Sequence, residues 1–233
     1  MFENKFVSAV IVAAGLSTRM KSNISKQLLK IGDRTVLEHT VSAFGNSGIV
    51  DEAVIVCPEK DIESFRKLFS DNPFGMPIKF TVGGSTRQQS VGNGIEEVDG
   101  KCDIIAIHDG ARPLVESEDI RRVVSDAVKF GAATLAVPVK DTIKLVENET
   151  VESTPPREKL FVIQTPQVFE RNTYLKAYRK AAGDGLDFTD DCQLIESIGG
   201  KVHITVGDYT NIKITTAEDT AVAEAFLKLR GIK

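Results

Sequence analysis

The sequence predicts an α/β protein built on a mostly parallel sheet with helices on both of its faces. Three observations carry this. Short apolar runs alternate with helical stretches along most of the chain, several of the runs are apolar at consecutive positions, and no fixed period repeats. A strand that is apolar on both sides must be covered on both sides, and helices flanking a parallel sheet do this.

Taken in order, strands are expected at "SAVIVAA" (residues 8–14), "EAVIVC" (52–57), "IKFTV" (78–82), "DIIAIH" (103–108), "ATLAV" (133–137) and "KVHITV" (201–206). All are rich in valine, isoleucine or threonine, which suit a pleated, buried surface. Between them "TVLEHTVSAFGNS" (35–47), "DIESFRKLFSD" (61–71), "RQQSVGNGIEEV" (87–98) and "SEDIRRVVSDAVKFG" (117–131) read as helices. Near the end, "NIKITTAED" (211–219) reads as a short strand ending at Lys213, followed by a last helix capped by Thr215 or Thr216.

The alternation breaks between Pro138 and Thr165. Two alternating runs, near Asp141–Val146 and Leu160–Gln164, flank a polar turn, with Pro155 and Pro156 inside. The segment at about 138–164 reads as a β-hairpin arm leaving the sheet. An isolated hairpin is marginal unless something packs on it; a partner subunit is the natural cover, and a surface excursion lying on its own domain is the alternative the pattern leaves open. Otherwise the chain is expected to be one domain spanning residues 1–233.

Composition narrows the function. Hydrophobic residues at 42% and charged residues at 27% are ordinary globular values. No apolar run reaches the roughly 18 residues a membrane span needs, and the amino terminus lacks a signal-peptide pattern, so a cytoplasmic protein with no membrane partner is expected. A net charge of −4, from 29 basic and 33 acidic residues, argues against a nucleic-acid partner. Cys57, Cys102 and Cys192 are odd in number and widely spaced, which points to buried thiols. His39, His108 and His203 are too scattered for a metal cluster.

Ligands of open α/β sheets bind at the carboxyl ends of the strands, and four polar clusters fall there. "AAGLSTRMKSNISKQLL" (13–29) has one glycine, Gly15, which lets backbone amides approach a phosphate, and two cations, Arg19 and Lys26, able to neutralise a polyphosphate. A dinucleotide loop would carry G-x-G-x-x-G and an acid closing the second strand. This loop runs Gly15-Leu16-Ser17, the second strand ends in Cys57-Pro58, and Asp33 lies in a loop, so a nicotinamide enzyme fits poorly. "GGSTRQQSVGNG" (83–94) follows a strand and opens a helix, with Arg87 and Ser90 at the helix start, where anions are favoured. "IHDGARP" (107–113) puts Asp109 at a strand end as a candidate ligand for magnesium or a hydroxyl. There His108 reads as a packed imidazole and Arg112 as a local carboxylate partner. The last cluster joins "FTDD" (188–191) to "NIKITTAED".

In order, "AAGLSTRM…KQLL", "GGSTRQQSV", "HDGARP", "PVKDTIK", "QTPQVF", "TDD" and "NIKITTAED" resemble the cytidylyltransferases acting on 2-C-methyl-D-erythritol 4-phosphate, over residues 7 to 220. The resemblance implies a Rossmann-like nucleotidyltransferase fold with a mostly parallel, mixed sheet and a protruding β-arm. It also implies a homodimer with exchanged arms and a magnesium-dependent step of non-mevalonate isoprenoid synthesis that uses CTP and a sugar-alcohol phosphate. Matched motif to motif, it implies transition-state cations at Arg19 and Lys26. CTP contacts fall at Ala13, Ala14, Gly15, Gly83, Ser90 and Asp109, and substrate contacts at Thr142, Arg157, Thr189 and Lys213. Asp109, read above as a candidate magnesium ligand from its place at a strand end, is the one metal ligand expected.

The chain departs from the family pattern at Ser25, usually proline, at Gly110, more often alanine, and at Cys192-Gln193, usually small residues. Gly110 leans toward the sister family acting on ribitol 5-phosphate, the nearest rival. A nucleotide-binding regulator without catalysis is the rival from another class, and the joint presence of Arg19 and Lys26 argues against it.

Overall fold

Valine and isoleucine in adjacent positions do produce strands buried on both faces. In the structure, a computed structural model that describes residues 1–15 and 25–231, the chain begins with β1 (Val7–Val12). A 3-10 turn at Lys26–Leu28 and a short antiparallel pair, β2 (Lys30–Ile31) and β3 (Arg34–Thr35), lead into α1 (Val36–Ser47). The alternation continues through β4 (Glu52–Cys57), α2 (Ile62–Leu68), β5 (Ile78–Val82), α3 (Arg87–Glu96), β6 (Ile104–Asp109), α4 (Ser117–Phe130) and β7 (Ala132–Pro138). After β8 (Leu145–Glu147) and β9 (Thr150–Ser153) come β10 (Phe161–Glu170), α5 (Arg171–Gly183), α6 (Asp191–Ser197), β11 (His203–Val206) and α7 (Ala217–Leu229).

Seven strands form one sheet in the order β11-β7-β10-β6-β1-β4-β5. β10 runs antiparallel to both its neighbours, and every other pairing is parallel. The expected mixed, mostly parallel sheet is therefore present. Its two faces follow the period of two along each strand. Ala9 and Ile11 of β1, Ala53 and Ile55 of β4, and Ile104 and Ala106 of β6 pack on one side with Phe44 of α1 and Val123 of α4. Val10, Val54, Val56, Ile105 and Ile107 pack on the other with Val91 of α3 and Tyr174 and Ala177 of α5. Gly94 sets the approach of α3, since a Cβ there would lie 2.5 Å from Val10 Cγ1 and 2.7 Å from Val56 Cγ2.

Two expectations need correction. The run Leu160–Gln164 is not the return strand of the arm. It opens β10, where Phe161 pairs with Pro138 of β7, and it belongs to the main sheet. Pro155 and Pro156 carry no N–H for a ladder, so the hairpin closes earlier, as β8 against β9 around Asn148 and Glu149 at positive φ. Every residue from Lys140 to Thr154 is exposed. The stretch around Lys213 is likewise not a strand, because Asn211–Thr215 is held by single bonds rather than a ladder: Ile214 N–H donates to Ala111 O (2.8 Å), and the buried Asn211 amide donates to Thr165 O (3.0 Å).

A third apolar cluster, Ile31, Val36, Leu114, Ile214, Ala223 and Leu227, docks α7 and anchors the residue next to Lys213. Thr216 caps α7, and Asp219 accepts from the amides of Thr215 and Thr216 at 2.7 and 2.8 Å. No helix among the described residues is long and apolar enough to cross a membrane.

Candidate active site

Register places the site. Val12, the last residue of β1, pairs with Asp109, the last of β6, so the segments leaving both strands start side by side. Ala13 N–H donates to Val56 O (2.7 Å) and Gly83 N–H to Cys57 O (3.0 Å), which draws the loop after β5 across the end of β4. Gly83 is required there: a Cβ would lie 2.3 Å from Ala14 Cβ and 2.9 Å from Ser90 Oγ. Ser90 Oγ accepts from Gly84 N–H (3.1 Å) and donates to Thr86 O (2.9 Å), fixing the glycine loop on the first turn of α3. Ala13, Ala14, Gly83 and Ser90 are thus neighbours, with Gly15 beside them at the end of the described stretch. Arg19 lies outside the described residues.

Asp109 is the electrostatic centre. Its Oδ2 lies 2.9 Å from Lys213 Nζ and 3.7 Å from Arg112 Nε, and its Oδ1 lies 3.4 Å from Arg87 Nε. Burial opposes ionisation of this carboxyl, but Arg87, Lys213 and Arg112 outweigh it and hold the group well below the usual carboxylate range. Arg87 also pairs with Asp191 Oδ2 at 2.6 Å. Three cations around two carboxylates leave one positive charge in excess, which favours an anionic ligand.

His108 behaves as the packed imidazole that its strand position suggested. Its Nε2 faces Arg112 O at 3.2 Å, and a carbonyl can only accept, so Nε2 carries the proton. Nδ1 then accepts from Thr165 Oγ1 (3.0 Å), which in turn accepts from Asp109 N–H (3.0 Å). Burial lowers the imidazole to about 3, so it stays neutral and props the backbone of Asp109.

Lys26 Nζ donates to Ile214 O at 2.8 Å. The preceding Ser25 sits at φ −56°, an angle proline also adopts, so its substitution for proline leaves this turn's geometry open to both. Thr189 caps no helix itself. Its hydroxyl donates to Gln193 Oε1 at 3.4 Å, so one of the unusual residues holds it, and Cys192 beside it is buried with its thiol pushed up by that burial. Thr142 and Arg157 are exposed, and Arg157 Nη1 donates to Lys140 O at 3.1 Å. Among the described residues no hydrogen bond or ion pair joins Thr142 or Arg157 to the Asp109 cluster. All three thiols are buried and unpaired, as expected.

Several participants were hidden in the sequence. Asp191 stood unmarked in "TDD", and Tyr174 looked like any core aromatic, yet its hydroxyl donates to Asp191 Oδ1 at 2.7 Å. A separate cleft of about 660 Å³ opens between α1, the β2–β3 turn and the end of α7, lined among others by Arg34, His39, Asn46 and Arg230. It shares none of the candidate residues, and size alone is a weaker guide than convergent charge.

Among the described residues no three His, Cys, Asp or Glu side chains gather around a metal position. Asp109 is one carboxylate already ringed by cations. That fits magnesium only when most of its ligands come from substrate phosphates and water, which is how this small, hard ion commonly binds.

Residues 7–229 match the family model described as 2-C-methyl-D-erythritol 4-phosphate cytidylyltransferase. The protein of that name from Caldanaerobacter subterraneus subsp. tengcongensis is 46% identical over 224 residues, covering 95% of this chain and 99% of its own. The one from Desulforamulus reducens is 44% identical over 230 residues, covering 97% of both. Among solved structures, 4-diphosphocytidyl-2C-methyl-D-erythritol synthase from Anaerococcus prevotii superposes with a TM-score of 0.87 at 32% identity, over 96% of this chain and 99% of its own.

Proposed function

The chain belongs to the 2-C-methyl-D-erythritol 4-phosphate cytidylyltransferase family, and from that premise we propose how its residues divide the work. The enzyme transfers CMP from CTP to 2-C-methyl-D-erythritol 4-phosphate, giving 4-diphosphocytidyl-2-C-methyl-D-erythritol and pyrophosphate in the non-mevalonate route to isoprenoids. The observation that carries the chemistry is the convergence of Lys26 on Ile214 O and of Lys213 on Asp109, with Lys213 and Ile214 adjacent on one segment.

The reaction is an in-line attack of the substrate's phosphate oxygen on the α-phosphorus of CTP. The nucleophile is already anionic and needs no general base, in keeping with the neutral, fully engaged His108. The barrier lies in bringing anions together and in charge that grows on the α-phosphoryl group. Lys26 and Arg19 stabilise that charge, and a preorganised group of this kind typically contributes about 3 kcal/mol. Ala13, Ala14, Gly15, Gly83, Ser90 and Asp109 hold CTP, the first five largely through backbone that can come close because the side chains are small. Lys213 and Thr189 hold the sugar phosphate. Asp109 is the residue that would help hold magnesium, whose chemistry there would be neutralisation of the triphosphate charge in favour of pyrophosphate departure.

The exposed hairpin supports a homodimer. Leu145, Val146 and Val151 are 51%, 58% and 56% exposed, Val146 and Val151 pair across the two strands, and a two-stranded hairpin with uncovered apolar side chains is marginal alone. In the dimer Thr142 and Arg157 serve the neighbouring subunit's site. A cytoplasmic setting accords with three reduced thiols. The test is pyrophosphate release from CTP with 2-C-methyl-D-erythritol 4-phosphate, set against ribitol 5-phosphate and against UTP. Turnover confined to the first pair is expected, and equal turnover with ribitol 5-phosphate would overturn the substrate assignment.

A further inference from the structure

The geometry points to Arg87 as a positioning residue that locks the nucleotide half of the site to the sugar-phosphate half. It stands at the first turn of α3, directly after the glycine loop. From there one guanidinium reaches two carboxylates on two other elements: Nε faces Asp109 Oδ1 at the end of β6 (3.4 Å), and Nη1 faces Asp191 Oδ2 at the start of α6 (2.6 Å). The Asp191 side chain is 2% exposed. Its other oxygen is taken by the fully buried Tyr174 hydroxyl, and its amide donates to Gln167 Oε1 at 2.9 Å. That acid therefore cannot swing away, and it serves as a fixed anchor for Arg87.

The neighbours of Arg87 repeat the connection. Thr86 Oγ1 donates to Asp187 Oδ1 (3.0 Å), Gln88 Nε2 donates to Leu186 O (3.1 Å), and Gln88 Oε1 accepts from Phe188 N–H (2.9 Å). The segment that carries Thr189 is thus sewn to the start of α3, and Arg87 is the one cation in that seam that also touches Asp109. Burial works against its charge, but Asp191 and Asp109 outweigh it and keep the guanidinium protonated. Only a planar fork spans both acids. A lysine ammonium is a point charge and satisfies one.

The role rests on the assignment above of Asp109 to CTP and Thr189 to the sugar phosphate. A residue that holds both halves should, when lost, raise both Michaelis constants, whereas loss of a residue confined to one half raises one. The test compares wild type, the Arg87→Gln/Asp191→Asn pair and Arg87→Lys. The double variant leaves no buried charge unpaired and keeps an acceptor for Tyr174, so its thermal midpoint should stay near wild type. Both its KM values should rise about tenfold or more, as a site displaced by a fraction of an ångström requires. Arg87→Lys, drawn to the drier Asp191, should raise the KM for CTP and spare that for the sugar phosphate. Unchanged KM values in the double variant, or a rise in only one, overturn the proposal. If the double variant does not fold, unchanged KM values in Arg87→Lys overturn it equally. Failure of the wild type to release pyrophosphate from CTP is a separate result, and it would overturn the proposed reaction instead.

Discussion

Lys26 donates to the carbonyl oxygen of Ile214 at 2.8 Å, one residue beyond Lys213. The two lysines come from opposite ends of the sequence and are held on one short segment, itself pinned by Ala111, Thr165 and α7. Lys26 is anchored by that backbone carbonyl and Lys213 by the Asp109 carboxylate at 2.9 Å, so each can be removed with the other's anchor left in place.

That independence separates their roles. Lys26→Ala should lower kcat by about a hundredfold or more with little change in KM, because the charge it meets develops during the reaction. Lys213→Ala should act mainly on the KM for the sugar phosphate, whose charge is present before reaction. Steady-state kinetics with each substrate varied decides between them. A pure KM effect at Lys26 would remove its transition-state role.

Two glycines near the site should respond differently to alanine. At Gly83 the new methyl meets Ala14 Cβ at 2.3 Å, so the glycine loop must move off the segment that follows β1. At Gly110 the nearest atoms are Val12 O at 3.2 Å and Ala13 Cβ and Ile11 Cγ2 at 3.3 Å, a crowding that a shift of a few tenths of an ångström relieves. Gly83→Ala should raise the KM for CTP by about tenfold or more, since backbone placement governs that contact. Gly110→Ala should keep near-normal kinetics. A well-folded Gly83→Ala enzyme with unaltered CTP affinity would show that Ala14 and Gly83 do not form the nucleotide floor.

His108 makes stability depend on pH in a definable direction. Its ordinary value is 6.5 and burial lowers it to about 3 in the folded protein. Between those limits the unfolded chain binds a proton that the folded chain refuses, so stability is full above about 6.5 and falls as pH drops toward 3. Asp109, held low by its cations, loses its contribution only below its ordinary 3.8. Replacing His108 by glutamine removes one titrating group. Chemical denaturation between pH 4 and 6 should then show a slope shallower by up to about 1.4 kcal/mol per pH unit. An unchanged slope would mean that His108 is protonated in the folded state.

Much of this was legible because strand and loop chemistry agree locally. Apolar runs such as "EAVIVC" specify the parallel core, and the polar clusters that follow them hold Asp109, Gly83 and Ser90, which the fold places at neighbouring strand ends. What was not legible needed pairing across long sequence distances. Nothing near Phe161 says that it pairs with Pro138 rather than with residues of the hairpin. Alternation in "NIKIT" looks like a strand, yet side-chain bonds from Asn211 replace the ladder. Asp191 and Tyr174 become partners only once α5 and α6 pack together, and periodicity does not report that contact.

The arm gives the strongest test of assembly. Arg157 is exposed at the base of the hairpin, and its Nη1 donates to Lys140 O at 3.1 Å, within the same excursion. Lys26, by contrast, is committed to the segment next to Asp109 in its own subunit. If the arms cross in the proposed dimer, each site draws Lys26 from one chain and Arg157 from the other, and twofold symmetry makes the exchange reciprocal. Lys26→Ala and Arg157→Ala enzymes, each nearly inactive, are then co-refolded in equal amounts. Half of the dimers are mixed under random pairing, and in each of these one site carries both lesions while the other carries neither. Activity should therefore recover to about a quarter of wild type. With Arg157 serving its own subunit, every site in every dimer keeps one lesion. Silence from a mixture whose heterodimers are confirmed by mass would exclude the shared site.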